Sequence, residues 1–294
     1  MIKSIGIVGA GTMGSGIAEV AALAGIATVL TDTSEPTLTA ARERIAQSIK
    51  RAVGKKRVSA SEAEEANARI TLTPSLADLT ACDLVVEAII EDEQVKRDLF
   101  RQLDRMLAPH AILGSNTSSL SITALASATQ RPDKVVGIHF FNPVPLMKLV
   151  EVVQGRHTSN DTALEAFELA QRLGKTAVLC KDTPGFIVNR IARPFYGEAL
   201  RLLGEGVASA EQIDYIVKTE GGFKMGPFEL MDLIGIDVNY AVTKSVYEQF
   251  AHEPRFRPHA IQKQMVDAGT LGRKAGRGFF DYAGAGPNPP KAQS

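Results

Sequence analysis

The sequence predicts an α/β protein: a doubly wound, mostly parallel sheet over residues 1–184, then a mostly helical C-terminal domain over 185–294. Three observations predict it. Through the first part of the chain, short β-branched runs alternate with longer stretches whose apolar residues recur at helical spacing. Most of the short runs are apolar on both faces, as strands are when helices cover both sides of a parallel sheet. The alternation stops at Pro184-Gly185, beyond which no convincing strand pattern recurs.

The expected strands, in order, are Ser4–Val8, Thr28–Thr31, Arg69–Thr71, Leu84–Glu87, Ala111–Leu113, Val135–Ile138, Leu149–Val153 and Ala177–Leu179. Between them Gly14–Ala24, Pro36–Val53, Glu93–Leu107 and Thr162–Leu173 carry helical spacing, an alternation that builds a doubly wound sheet. In the second domain Phe186–Leu203 is helical by the same criterion. Ser209-Ala210-Glu211-Gln212 reads as a capping box opening the next helix. Pro227 suits the first position of a helix that stops at Gly235, because proline lacks only a donor that a first turn cannot use. Asp237–Phe250 and Pro258–Ala268 are two further helices, and the Pro/Gly-rich end, GAGPNPPKAQS, is expected to fray.

The 294 residues suffice for two domains, and 45% hydrophobic with 22% charged is a globular balance. With 33 basic and 33 acidic residues, no charge excess points to nucleic acid or to a membrane surface. No stretch has the apolar length of a membrane span, and the N-terminus enters a strand pattern at once, without the features of a signal peptide. Cys82 and Cys180 are too few for a disulfide framework or a zinc site, so no metal is expected. The chain is expected in a reducing compartment, the cytoplasm.

Gly9-Ala10-Gly11-Thr12-Met13-Gly14 is a GxGxxG run. Alone it is a weak signal, but it follows one predicted strand and opens a helix, and a second strand ends in Asp32 at the appropriate distance. The glycines allow a tight turn, close approach of a pyrophosphate and packing of helix on sheet, the features of a Rossmann-type dinucleotide site. Asp32 can bond both ribose hydroxyls and would repel a 2′-phosphate, which favours NAD over NADP; FAD uses the same turn and stays open.

Four polar positions end or follow apolar runs, where an open α/β sheet gathers its ligands. They are Ser118 in the run Asn116–Ser119, His139 before a Pro-rich turn, Glu151 in the next run, and Asn189 early in the first helix of the second domain. A chain that folds back after His139 can set the Glu151 carboxylate against the imidazole and make a general base. Ser118 and Asn189 can supply donors to the oxyanion that forms when an alcohol loses hydride. Lys50, Arg51, Lys55, Lys56 and Arg57 form the one dense basic patch in a neutral chain, suited to polyphosphate.

GAGTMGSGIA, VVEAIIED, SNTSSLSIT, GIHFFNPVPLMKLVEVV, KDTPGFIVNRI and MGPFELMDLIGIDV, in this order, resemble the short-chain L-3-hydroxyacyl-CoA dehydrogenases, including the bacterial 3-hydroxybutyryl-CoA dehydrogenases. The likeness covers nearly the whole chain, and KDTPGFIVNR is its most specific segment. It implies reversible NAD-dependent oxidation of an L-(S)-3-hydroxyacyl-CoA. By the resemblance His139 matches the catalytic base, Glu151 its carboxylate partner, Ser118 a contact to both substrate and cofactor, and Asn189 the active-site asparagine. Glu91, Lys96 and Asn142 match the lining of the NAD site, and Lys274 a further NAD contact. Lys55, with Lys56 beside it, matches a coenzyme A phosphate contact, and Ser48 is a second coenzyme A candidate.

The apolar content of the second domain, including Phe186, Ile187, Ile191, Phe195, Leu200, Met225, Phe228, Leu230 and Met231, is large for a small helical unit. It predicts a homodimer formed through that domain. Two alternatives stand beside the main reading. One is a dehydrogenase of a non-CoA 3-hydroxy acid of the L-gulonate or carnitine type, and the other a non-catalytic NAD(H)-binding protein.

Overall fold

The computed structural model describes residues 2–282; the expected fraying end lies outside them. Eight strands form one sheet: β1 (Ser4–Val8), β2 (Ala27–Thr31), β3 (Ile70–Thr73), β4 (Leu84–Glu87), β5 (Ile112–Ser115), β6 (Val135–Phe140), β7 (Leu149–Gln154) and β8 (Thr176–Lys181). Their spatial order is β3-β2-β1-β4-β5-β6-β7-β8. The order reverses between β1 and β4, so the crevice of a doubly wound fold opens at the ends of those strands. Every pairing is parallel except β6–β7, which is antiparallel.

Helices α1 (Thr12–Leu23), α2 (Glu35–Gly54), α3 (Ala60–Ala68), α4 (Glu93–Met106), α5 (Ile122–Ala126) and α6 (Asn160–Arg172) cover the sheet. One core, containing Ile5, Ile7, Ile17, Leu30, Val86, Ile138 and Val152, lies on one face. A second, with Val85, Phe100, Leu113, Leu125, Val135 and Val153, lies on the other. Burial on both faces explains the mostly apolar runs of the interior strands β1, β4, β5, β6 and β7, while the edge strands β3 and β8 are partly exposed.

Two helices escape the sequence pattern. In α3 only Ala63 and Ala66 are buried, so no large apolar residue marks its period; Ser59 and Glu62 nevertheless form a complete capping box. In α5 the five residues are too few to show a period, and Asp182 completes the helix start by accepting from Ile122 N at 3.1 Å and Thr123 N at 2.7 Å. Strand β6 runs two residues beyond its expected end at Ile138, because pairing with β7 extends the ladder through Phe140. His139 therefore lies inside the strand rather than after it.

The chain divides after Phe186 into two compact units. The second unit holds α7 (Val188–Gly204), α8 (Ala210–Thr219), α9 (Pro227–Ile234), α10 (Ile236–Gln249) and α11 (Ala260–Asp267). No strand occurs among its described residues. The expected capping box of Ser209 and Gln212 is formed, and Pro227 is the first residue of α9. Leu200, Phe228 and Met231 close this unit's own core, with Phe195 and Leu230 packed against it, while Phe186 belongs to the first unit. These residues serve the internal packing of their own units. Ile187 and Ile191 remain exposed.

Candidate active site

The glycine turn between β1 and α1 is shaped by its neighbours. Gly9 adopts φ +101°, and a Cβ there would stand 2.7 Å from the Ala88 carbonyl. A Cβ on Gly14 would meet the Gly9 carbonyl at 1.8 Å, so the first turn of α1 can lie against the loop only without one. A Cβ on Gly11 would meet no protein atom within 4 Å, so the space over the turn is kept clear by the backbone. Helix α1 starts without a side-chain cap or an acidic residue. Its first-turn N–H groups and dipole suit an anion there, so the turn fits a pyrophosphate. Thr12 and Met13 open the helix at this point.

Asp32, just past β2, accepts from Ala10 N at 2.9 Å and from Ser34 N at 3.0 Å. It thus braces the turn at the place expected for a ribose contact. Arg44 of α2 adds a brace that the sequence pattern does not disclose, donating to the Ala10 carbonyl at 3.2 Å and to Ser15 Oγ at 2.7 Å.

Beside the turn, Lys96 is 1% exposed and lies 2.7–2.8 Å from both oxygens of Glu87 and 3.2 Å from Glu91 Oε2. Its ammonium is thereby engaged by carboxylates, so Lys96 sets the acidic side chains around it. Burial pushes the Glu87 carboxyl up, against the pull of Lys96 and Ser115. Burial also opposes ionisation of Glu91, but Lys96 and hydrogen bonds from Thr117 and Ser118 outweigh it and hold that carboxyl below its usual range. Glu91 Oε1 accepts from Thr117 Oγ1 at 2.5 Å, Ser118 N at 2.9 Å and Ser118 Oγ at 3.3 Å. The polar run after β5 is thus moulded on Glu91.

Strands β5 and β6 are neighbours, with Ser115 paired to Gly137. Ser118 and His139 follow these paired residues within a few positions, which places them at adjacent strand ends. Asn116 Oδ1 accepts from Phe140 N at 2.9 Å and ties the two ends together. Across β6–β7, His139 is the direct partner of Glu151. Directly opposed side chains share a face, and Nδ1 of His139 lies 2.7 Å from Glu151 Oε2. His139 is 5% and Glu151 1% exposed. The imidazole packs against Phe141 at 4.4 Å and Phe186 at 5.8 Å between ring centroids. An ionised carboxylate can only accept, so against one a neutral imidazole in this geometry would carry its proton on Nδ1 and leave a lone pair on Nε2. Asn142 lies exposed in the loop after β6.

Within the same unit, Lys55 closes the C-terminal end of α2 and Lys56 follows with φ +55°. Lys50, Arg51, Lys55, Lys56 and Arg57 are all exposed, whereas the Ser48 hydroxyl donates to buried Glu19 at 2.8 Å. Asn189 and Lys274 belong to the second unit. Asn189 lies in the first turn of α7, where its carbonyl accepts from buried Arg193 at 3.1 Å. Lys274 pairs with Asp237 at 2.6 Å. The segment that carries it is tied to α9 by Asp232, which accepts from Phe279 N, Phe280 N and Tyr282 Oη at 2.9–3.0 Å.

A bare glycine turn at a helix start, an acid at the end of the second strand and a carboxylate-held histidine near the same sheet edge define a nicotinamide-dependent dehydrogenase of Rossmann type. Residues 4–183 match the family model described as 3-hydroxyacyl-CoA dehydrogenase, NAD binding domain, and residues 185–282 match the C-terminal domain of that family. The chain is 45% identical to the 3-hydroxybutyryl-CoA dehydrogenase of Bradyrhizobium diazoefficiens over 98% of both chains. The crystal structure of (S)-3-hydroxybutyryl-CoA dehydrogenase from Ralstonia eutropha superposes with a TM-score of 0.93 at 42% identity, covering 96% of this chain and 99% of that one. A 3-hydroxybutyryl-CoA dehydrogenase structure from Escherichia coli gives a TM-score of 0.94 at 44% identity; it covers all of this chain, which spans 63% of the other.

The chain belongs to the 3-hydroxyacyl-CoA dehydrogenase family. It is an oxidoreductase, and its cofactor is NAD rather than FAD.

Proposed function

We propose that this enzyme interconverts an (S)-3-hydroxyacyl-CoA, such as 3-hydroxybutyryl-CoA, and the 3-ketoacyl-CoA, with His139 as the base. The observation that carries the reading is the cross-strand pairing of His139 with Glu151 at 2.7 Å, at the same edge of the sheet as a glycine turn that fits a dinucleotide. NAD, when bound, supplies the hydride acceptor. His139 Nε2 takes the hydroxyl proton as the C3–O bond becomes a carbonyl. Glu151 fixes the tautomer and stabilises the imidazolium, which raises the efficiency of a histidine base in the same way in other enzymes. Ser118, oriented through Glu91, donates to the reacting oxygen, and Asn189 contributes a polar contact to the oxygen or the thioester. Gly9, Gly11, Gly14 and Asp32 seat the dinucleotide; Glu91, Asn142 and Lys274 border it, and Lys96 holds Glu91 in place.

Lys55 and Lys56 meet the phosphates of coenzyme A, with Ser48 on the preceding helical turns. The exposed Ile191, Tyr215, Ile216, Phe223 and Leu233 of the second unit support its role in a homodimer. No helix among the described residues is long and apolar enough to cross a membrane. We place the enzyme in the cytoplasm, where the free thiols of Cys82 and Cys180 stay reduced. A rate survey over acyl-CoA length, with NAD and NADP in parallel, tests the reading: absence of turnover on every 3-hydroxyacyl-CoA would reject it.

A further inference from the structure

The loop joining the strands of His139 and Glu151 is held by residues from outside it. From Pro143 to Lys148 the chain makes a turn in which Leu146 N and Met147 N both bond the Pro143 carbonyl. Val144 is 2% exposed and packs where α1 has Gly16; a Cβ on that glycine would stand 2.8 Å from Val144 Cβ. The Lys175 ammonium, following α6, donates to the Val144 carbonyl at 2.5 Å and the Met147 carbonyl at 2.9 Å. Next to Lys175 in sequence, Thr176 N bonds the Lys148 carbonyl at 2.7 Å and starts β8.

Burial lowers the half-buried ammonium of Lys175, and the charge of Glu19, a 3% exposed carboxylate on an otherwise apolar stretch of α1, partly offsets this. Glu19 accepts from Ser48 of α2 and also faces Arg51, one of the cations of the basic patch. Burial disfavours the charged form of both groups, raising the carboxyl and lowering the ammonium, and each partly offsets the cost to the other. The Ser48 hydrogen bond is the largest compensation for burying the Glu19 carboxylate, followed by Arg51 and then Lys175.

We infer that Lys175 is a positioning residue for the reaction: it staples the loop between the strands that carry His139 and Glu151. The inference rests on the proposed role of His139 and Glu151. Lys175 does not touch the reacting atoms. Its effect passes through the Val144 and Met147 carbonyls to the loop that carries Asn142 and sets where β6 ends and β7 begins. Misplacement of reacting groups by about 1 Å can cost on the order of 100-fold in rate, so a loosened loop is expected to lower kcat more than it raises KM.

The test compares Lys175→Met, Lys175→Gln and Lys175→Arg with the wild-type protein, using acetoacetyl-CoA and a truncated acetoacetyl thioester that lacks the nucleotide. Lys175→Met is expected to lower kcat roughly tenfold or more on both substrates, with Lys175→Arg restoring most of it. Hydrogen exchange of the 141–149 peptide should quicken in Lys175→Met. If Lys175→Met does not fold, Lys175→Gln is read in its place. Wild-type kcat together with wild-type exchange in a folded variant would overturn the inference. If the wild-type protein itself reduces neither substrate, the proposed function fails, and the exchange measurement still decides whether Lys175 holds the loop.

Discussion

His139 Nδ1 and Glu151 Oε2 stand 2.7 Å apart because the two residues are direct partners in the sheet's one antiparallel pair. Their twelve-residue separation is spanned by a tight loop, and strand register rather than side-chain reach sets the contact. A slip of one residue would carry one partner to the opposite face of the sheet. The contact between the proposed base and its proposed orienting acid is therefore fixed by the ladder between their strands.

Glu151→Gln tests the orienting role. Glutamine can donate to Nδ1 and so favour the tautomer that leaves Nε2 protonated, which cannot take a proton. Turnover is expected to fall on the order of 10²–10⁴-fold while NADH affinity, read by fluorescence titration, stays near the wild-type value. Wild-type turnover would make Glu151 structural only.

Asp32→Ala removes a bidentate acceptor from the glycine turn. Loss of a charged hydrogen-bonding partner costs about 1.5–3 kcal/mol, so kcat/KM for NAD should fall roughly 10- to 100-fold. The ratio of NADP to NAD activity should rise, since the charge that repels a 2′-phosphate is gone. An unchanged ratio in steady-state assays would remove Asp32 from cofactor selection.

Glu91 gives a pH dependence with a definite sign. Its folded carboxyl titrates below the unfolded value of about 4.3, so its stabilising contribution is complete above that pH and is lost as pH falls through the folded value. Glu91→Gln should lower the melting temperature at neutral pH and reduce the further loss of stability in acid. Parallel melting curves for the two proteins between pH 3 and 7, a range chosen to bracket the usual carboxylate titration, would refute the assignment.

Lys55→Ala and Lys56→Ala should raise KM for acetoacetyl-CoA by roughly tenfold between them, as expected for the loss of one charge-assisted phosphate contact, without affecting a truncated thioester. An equal effect on both substrates would place the lysines outside the nucleotide-binding part of the site.

The positions of the strands along the chain and the glycine turn were legible because burial on both faces leaves continuous apolar runs, and because Gly9 and Gly14 answer steric demands that no other residue meets. His139 and Glu151 were legible as a pair from their placement in successive runs, although only the antiparallel register explains why they meet. Asp182, Arg44 and Glu87 were not read as structural devices. Each acts on backbone or side chains distant in sequence, and a lone acid or arginine in a neutral chain carries no period. Lys96 matched a cofactor-site position, but its burial against Glu87 and Glu91 depends on how the end of β4 meets α4. The large apolar residues of the second domain did not separate into core and surface by sequence, because helical spacing there marks more than one face.

The central claim is that His139 is the base in NAD-dependent oxidation of an (S)-3-hydroxyacyl-CoA. The most direct measurement is NADH formation from (S)- and (R)-3-hydroxybutyryl-CoA by the wild-type protein and by His139→Gln. The account predicts rapid formation from the (S) substrate alone, reduced on the order of 10²–10⁴-fold in His139→Gln with NADH binding retained. Near-wild-type turnover of the (S) substrate by His139→Gln would contradict it.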